Sequence, residues 1–344
     1  MLAGALLSAV EGHRPSRAPP EALDFARRGA RWWRAAGRRG EGLATAKGRL
    51  EFLCPVSRKV RQRWIGLLFV LPALLHLGLF KFYPMAQAFL LSFFKYDLLT
   101  PPTPSGLANY RALYENPLFH QSLGVSVKYT LGVAVPEWFL ALALALLLNR
   151  ALPVRGVIRL AYFLPIAMSQ IVVALVWKFL YHPHGLVNGL LAVIGIGRIN
   201  WLSDEATALP ALAAIGVWRG VPLFAVVYLA GLQSIPGEYY DASTIDGAGS
   251  WQRFRYITLP LLRPTILFVM VVSLLLAMKF FVNPLVMTEG GPNGATRVLP
   301  YFIYETGFAF FRMGEAAAAS CVLFVMAFVL TIVQFRLLRH GVAG

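Results

Sequence analysis

A chain of 344 residues that is 58% hydrophobic, with a mean hydropathy of +0.62, is too apolar for a water-soluble globule of ordinary composition. Its 32 Lys and Arg against 16 Asp and Glu leave a formal net charge of +16, and the arginine positions given below assign that excess to membrane topology rather than to nucleic acid. Two cysteines, Cys54 and Cys321, cannot by themselves build a disulfide framework or a zinc site.

The chain begins with a tail, residues 1–63, rich in Arg, Gly and Ala. Arg27, Arg28, Arg31, Arg34, Arg38 and Arg39 flank Trp32-Trp33. The pattern fits either a basic amphipathic helix on an anionic leaflet or a disordered basic extension. Residues 1–10 are apolar but lack the basic start and the length of a cleaved signal. Cys54 follows Glu51-Phe52-Leu53, a poor lipoprotein cleavage signal, and reads as a free thiol.

After the tail, residues 64–340 read as one all-α membrane domain of six transmembrane helices. A hydrocarbon core of about 30 Å needs about 20 apolar residues per helix. Six stretches meet that need: 64–83, 125–148, 160–180, 209–233, 265–288 and 314–338, the first able to run past Pro84 towards Phe94. Pro72, Pro136, Pro165, Pro222 and Pro284 lie inside or at the ends of these stretches and predict kinks. One side of the membrane collects the basic tail, Arg150, Arg155, Arg159, Arg253, Arg255, Arg263, Arg336 and Arg339. The other has only Lys95, Arg111, Lys128, Arg198, Arg297 and Arg312, spread over longer loops. The positive side is cytoplasmic, so both termini are expected there.

Between spans four and five lies a polar stretch with helical grammar, residues 236–260. Pro236 suits a first helical turn, and Glu238 and Asp241 suit the positive end of that helix. Gly247 and Gly249 permit a sharp turn, and Ser250 can cap a second helix on which Trp251, Phe254, Ile257 and Leu261 share a face. The result is a short helix-turn-helix at a membrane surface, suited to docking.

Its spacing resembles the EAA loop of type I ABC importer permeases: Glu-Ala-Ala, three residues, Gly, nine residues, Ile-x-Leu-Pro. Asp241-Ala242-Ser243, Gly247 and Ile257-Thr258-Leu259-Pro260 occupy those positions, with Asp and Ser as the departures. Further likeness to the carbohydrate group of these permeases lies in Leu148-Asn149-Arg150, Phe163-Leu164-Pro165, Trp177-Lys178-Phe179-Leu180 and Gly185-Leu186-Val187-Asn188. It continues through Trp218-Arg219-Gly220-Val221-Pro222 and Ala230-Gly231-Leu232-Gln233-Ser234-Ile235-Pro236. Thr288-Glu289-Gly290-Gly291-Pro292, with Ala295-Thr296 and Tyr304, resembles that group's Gly-Gly-Pro turn. The acid that often follows the Phe of span five is replaced by Val282 after Phe281.

The resemblance implies a first-permease subunit, in a bacterial cytoplasmic (inner) membrane, of an importer for an oligosaccharide or sugar derivative. It implies a second homologous permease, two cytosolic ATPase subunits and a periplasmic or lipid-anchored solute-binding protein. It assigns ATPase coupling to Glu238, Asp241, Ala242, Ser243, Asp246 and Gly247. No cofactor, metal or nucleic acid is expected, and no G-x-x-x-x-G-K-[ST] loop is present. The competing class is an intramembrane glycosyl or prenyl transferase, which needs an acidic metal cluster at a membrane face. A third is a channel, which would pass solute without ATP.

Ionisable residues inside spans mark a pathway or a pair. Lys81 and Lys178 sit near outer ends and can snorkel. Glu137 and Arg219 fall at matching depths of roughly 15–18 Å, open to an ion pair or a pathway role. Lys279 lies about 21 Å from the inner end of span five, past the midplane and one turn before Asn283 and Pro284, beside Phe280 and Phe281. A broken helix there suits a polar solute, and the lysine fits either an anionic sugar or a carboxylate of the partner permease. His182 and His184 flank Pro183 and read as a turn rather than a metal pair. Ser169 and Ser273 read as helix contacts.

Overall fold

The structure, a computed structural model, describes residues 58–149 and 164–339. Residues 1–57 of the tail, with its arginine cluster and Cys54, lie outside the described residues, as do Arg150, Arg155, Arg159 and the start of the third expected span.

The chain falls into two units, Met1–Leu79 and Phe80–Gly344. The described part of the first is helix α1 (Arg58–Leu77), with Pro72 inside it. Apolar residues from Ile65 to Leu75 are exposed around it, Phe69 by 82%, the mark of a helix made for lipid or for other helices.

A π-helical turn (Gly78–Phe82) leads to α2 (Tyr83–Leu91), which belongs to the second unit with the elements after it. A two-residue antiparallel ladder, β1 (Phe94–Lys95) with β2 (Thr103–Pro104), pairs Phe94 with Pro104. It is a small departure from the all-α expectation, confined to a connecting loop. Then follow α3 (Ala108–Glu115), α4 (Pro117–Leu148), α5 (Gln170–Leu180), α6 (Leu186–Val193) and α7 (Glu205–Gln233). The two long helices have clean starts. The Asn116 side chain accepts the Leu118 N–H at 3.0 Å ahead of Pro117, and Asp204 accepts the Ala206 N–H at 3.0 Å.

The loop between spans holds α8 (Gly237–Ile245), α9 (Ser250–Arg253), a π turn (Phe254–Thr258) and α10 (Leu259–Leu261). Next come α11 (Arg263–Met278), a π turn (Pro284–Thr288), α12 (Leu299–Tyr304), a π turn (Glu305–Ala309) and α13 (Met313–Arg339).

Among the described residues four helices are long and apolar enough to cross a membrane: Ile65–Leu91, Pro117–Leu148, Glu205–Gln233 and Met313–Arg336. A fifth is reached if Ser250–Leu261 and Arg263–Met278, bent by 66°, act as one. Only the shorter apolar helix Gln170–Leu180 represents the expected third span. The fifth expected span differs more. Its α-helix stops at Met278, because Lys279 leaves helical geometry (φ −89°, ψ 9°) and Pro284 has no N–H to return.

α4 and α7 form the most extensive helix pair, with α11 packed against both. Their contacts make two apolar clusters. One gathers Tyr129, Val133, Leu212, Ile215, Ala277 and Phe280; the other Ala141, Ala145, Phe224, Tyr228, Leu232 and Val269. Between the clusters lie several polar or small residues: Glu137 on α4, Gly216, Arg219 and Gly220 on α7, and Ser273 on α11. A third cluster, Leu113, Phe119, Leu299, Phe302, Ala318 and Ala319, joins α3, α4, α12 and α13.

Candidate functional site

The layer between the first two clusters opens into a cavity of about 310 Å³. Glu137, Gln170, Arg219, Ser273, Phe280 and Asn283 line it, with Tyr129 at one end and Gly216 and Gly220 along a wall. Close approach of α4 and α7 depends on those glycines. A Cβ at 220 would lie 1.8 Å from Glu137 Oε1, and one at 216 would lie 2.7 Å from the Tyr129 hydroxyl. Tyr129 in turn stacks on Phe280, ring centroids 3.9 Å apart and 14° from parallel.

Two polar side chains of the lining are buried. Asn283, 3% exposed, has an Oδ1 that meets no donor, and Glu137, 4% exposed, forms no ion pair among the described residues. A buried unmatched polar group costs about 1–3 kcal/mol, and a charged one more. Arg219 makes a single long bond, 3.4 Å, to the Met168 carbonyl. It forms no ion pair with Glu137, although the two share the cavity their depths predict. Ser273 is satisfied: it accepts the Trp138 indole N–H at 2.6 Å and donates to the Met270 carbonyl at 3.2 Å.

Of the six pathway candidates, the cavity therefore brings together Glu137, Arg219, Phe280 and Asn283. Lys279 is exposed at the end of α11, and neither it nor Phe281 lines the cavity; Phe281 packs against Tyr304 at 5.3 Å. Tyr129, Gln170, Gly216, Gly220 and Ser273 were not singled out for the cavity from sequence. Gly216 and Gly220, four apart on a helix facing an acid, were the signal available. Lys178 does not simply snorkel: its ammonium donates to the Val286 carbonyl at 3.1 Å and ties α5 to the π turn after α11.

That π turn runs into the Gly-Gly-Pro segment, which is closely bonded. Thr288 and Thr296 hydroxyls meet at 2.7 Å, and Thr296 also donates to the Gly291 carbonyl at 2.7 Å. Gln121 on α4 donates to the Asn293 carbonyl at 2.8 Å, and Asn293 donates to Glu205 on α7. Gly290 (φ +77°) presses on Tyr301, where a Cβ would lie 2.7 Å from the ring. Burial pushes the Tyr301 phenol above its ordinary pKa.

The loop of residues 236–260 folds as two helices. Pro236 caps α8 from outside rather than entering its first turn, and Gly249 takes the capping position expected of Ser250, its N–H bonded to Gln252 Oε1 at 2.7 Å. Glu238, Asp241, Ala242 and Ser243 lie on α8, and Asp246 ends it. Gly247 follows in the left-handed region (φ +74°). Its N–H bonds the Thr244 carbonyl at 3.1 Å and the Ala248 N–H bonds the Ser243 carbonyl at 2.9 Å, a Schellman ending. Ser243 and Thr244 hydroxyls donate to the Tyr240 carbonyl at 2.7 and 2.8 Å. The Tyr240 hydroxyl meets Thr258 Oγ1 at 3.0 Å, which latches α8 to the second helix. Large apolar groups stand on its surface among the exposed Glu238, Asp241, Asp246 and Arg255: Ile245 is 87% exposed, Trp251 72% and Tyr256 74%.

A bundle of apolar helices enclosing a polar cavity, with a polar two-helix loop at one end, defines a multi-span membrane component. The chain belongs to the family of binding-protein-dependent transport system inner membrane components, which matches residues 137–340. It is 35% identical over 287 residues to the probable ABC transporter permease protein YurN of Bacillus subtilis, covering 82% of this chain and 98% of that one. It is 34% identical over 286 residues to the trehalose/maltose transport system permease protein MalF of Thermococcus litoralis (82% and 96% covered). It is also 32% identical over 281 residues to the sulfoquinovosyl glycerol transport system permease protein SmoG of Agrobacterium fabrum (81% and 91%). Its fold matches a chain of a bacterial alginate ABC transporter crystallised with an alginate pentasaccharide-bound periplasmic protein, at TM-score 0.73 and 23% identity, covering 83% and 98%. The relatives are permease subunits, and none supports the transferase alternative.

Proposed function

We propose that this chain is one of two permease subunits of an importer that moves an oligosaccharide or sugar derivative inward by alternating access. The observation that carries the reading is the cavity at the Glu137–Gly220 contact. Asn283 Oδ1, buried without a donor, accepts a hydrogen bond, the Glu137 carboxyl group and Arg219 supply further polar contacts, and the Tyr129–Phe280 stack offers aromatic surface. A solute with many hydroxyls on a ring matches all of these, and its arrival offsets the cost of leaving the Asn283 oxygen unmatched. Sugars in the descriptions of the relatives point the same way.

The rest of the assembly follows from that role. Six spans place both termini and residues 236–260 in the cytoplasm. The loop is the EAA-type coupling element, in which Ile245 and Tyr239, both exposed, meet an ATPase subunit. Glu238, Asp241, Ala242, Ser243, Asp246 and Gly247 set its shape and charge. A second permease completes the path, two ATPases drive it, and a periplasmic or lipid-anchored binding protein delivers the sugar. The tail, residues 1–63, lies outside this machinery, so deleting residues 1–50 leaves transport largely intact. The test is uptake in proteoliposomes with all partners, using labelled maltotriose, trehalose, arabinotriose and an alginate pentasaccharide. ATP- and binding-protein-dependent accumulation of at least one is expected. Flux without ATP would show a channel, and no uptake of any would overturn the carbohydrate reading.

A further inference from the structure

A second cavity, about 440 Å³, lies at the opposite end of the bundle from the coupling loop. Its residues 200–203 immediately precede α7, whereas residues 236–260 follow that 29-residue helix, roughly 40 Å away at 1.5 Å per residue. Lys178, His182, Asn200, Trp201 and Ser203 line it, beside Thr288 and Pro292 of the bonded turn after α11.

Trp201 is held at both edges. Its indole N–H donates to Asn188 Oδ1 at 3.2 Å, and its ring lies against Tyr181, centroids 5.5 Å apart. Asn188 is itself 3% exposed and fixed by the Ile199 carbonyl at 2.9 Å and the Ile199 N–H at 3.2 Å. The indole is thus pre-positioned at a residue that lines the cavity. The polar groups around it have spare capacity. His182 Nδ1 accepts the His184 N–H at 3.2 Å, which leaves Nε2–H as the ring's donor in the neutral form. Asn200 and Ser203 are exposed, and their side chains have no protein partner. From Tyr181 the ring contacts continue through Trp177 (5.2 Å) to Trp218 (5.5 Å), which lines a groove shared with Tyr129 of the inner cavity.

We propose that this outer cavity is a saccharide subsite, in which one pyranose ring stacks on Trp201 and takes hydrogen bonds from His182, Asn200 and Ser203, before the sugar reaches the inner cavity. The inference rests on the carbohydrate reading above. A rigid indole with convergent donors suits a sugar because the ring's C–H face is apolar and its rim is hydroxyl. The Trp201–Tyr181–Trp177–Trp218 contacts supply further aromatic surface along the way.

The experiment uses the assembled transporter in proteoliposomes, with Cys54 and Cys321 replaced by serine and Ser203→Cys introduced as a reporter. Its maleimide labelling rate is read with and without maltotriose, trehalose, arabinotriose or the alginate pentasaccharide. A saccharide that the complex transports is expected to slow labelling. Trp201→Ala should raise the concentration needed for half-protection by about three- to tenfold, while Trp201→Phe stays within about twofold. His182→Ala, at an exposed position, should raise it by about threefold and guards against a folding defect in the tryptophan variant. Protection by a transported sugar that ignores both Trp201→Ala and His182→Ala overturns the subsite, as does absence of protection. Slowing by the sugar-free binding protein, with no effect of sugar, would make this face a protein-docking surface instead. Failure to transport any of the four overturns the carbohydrate reading, and this inference with it.

Discussion

The inner cavity and the loop of residues 236–260 mirror each other. In the loop the hydroxyls of Tyr240, Ser243, Thr244 and Thr258 all have partners, while large apolar groups stand exposed at Tyr239, Ile245, Trp251 and Tyr256. In the cavity the apolar groups are packed, and it is a polar atom, Asn283 Oδ1, that is left without a partner. The loop also buries one unpartnered polar atom, Arg253 Nε, but its exposed apolar groups dominate, and in each region the prevailing lack indicates what completes it. Exposed aromatics on a rigid loop call for a protein surface. Unmatched oxygens in a cavity call for a hydrogen-bonding solute.

The largest effect is expected where the cavity wall is tightest. Gly220→Leu places a side chain where Glu137 Oε1 would lie 1.8 Å from its Cβ, so either the Glu137 carboxyl is driven out of its place or α4 and α7 separate. Overpacking costs about 1–3 kcal/mol even for small insertions, and loss of assembled complex on size-exclusion chromatography is expected. Gly220→Ala should be milder and should be partly rescued for assembly by Glu137→Ala, since the clashing carboxylate is then gone. Full assembly of Gly220→Leu would mean that the contact is not tight.

The loop counterpart is Gly247→Val. Gly247 has open space around it, but its φ of +74° costs a non-glycine residue about 1–2 kcal/mol and a β-branched one more. The Schellman ending should open, and uptake and sugar-stimulated ATPase activity should fall by more than about tenfold at unchanged membrane level. Gly247→Asn, which tolerates the same backbone, should keep most activity. Equal activity in all three proteins would remove the turn from coupling.

Asn283→Leu separates function from stability. Removing a buried oxygen with no partner should leave the complex as stable as before, or steadier by about 1 kcal/mol. Sugar uptake should nevertheless drop about tenfold, because the lost acceptor is one the solute uses. A thermal-melt measurement beside the uptake assay decides it. A fall in both would make Asn283 a packing residue.

The mirrored design explains what could be read from the chain alone. Apolar runs give helices and Gly247 gives its own turn, because each depends on local chemistry. The matched depths of Glu137 and Arg219 placed both in one layer. Their failure to pair was not legible, since it depends on Gly220 drawing the carboxylate against α7 and on Met168 holding the guanidinium. The break after Met278 was half visible: Pro284 marked it, but the helix ends earlier, at Lys279. Cavity walls such as Tyr129, Gln170 and Ser273 carry no sequence signal, because only tertiary packing selects them from other span residues.

The smallest effect is expected at Lys279, and it tests which cation selects cargo. Lys279 is exposed at the C-terminus of α11 and lies outside the cavity lining, whereas Arg219 lines the cavity with one weak backbone bond. An exposed lysine contributes about 0–1 kcal/mol to any pairing, so Lys279→Gln should change the preference for alginate pentasaccharide over maltotriose by no more than roughly twofold. Arg219→Gln should lower uptake of the acidic sugar more than that of the neutral one, because a guanidinium in a low-dielectric cavity loses a charge-assisted bond only with a carboxylate. The competition assay gives the ratio directly. A selective loss of the pentasaccharide in Lys279→Gln, with the complex intact, would show that Lys279 swings into the path and that an anionic cargo is read there. Dissociation of the complex would instead place Lys279 against the second permease, opposite a carboxylate of that subunit.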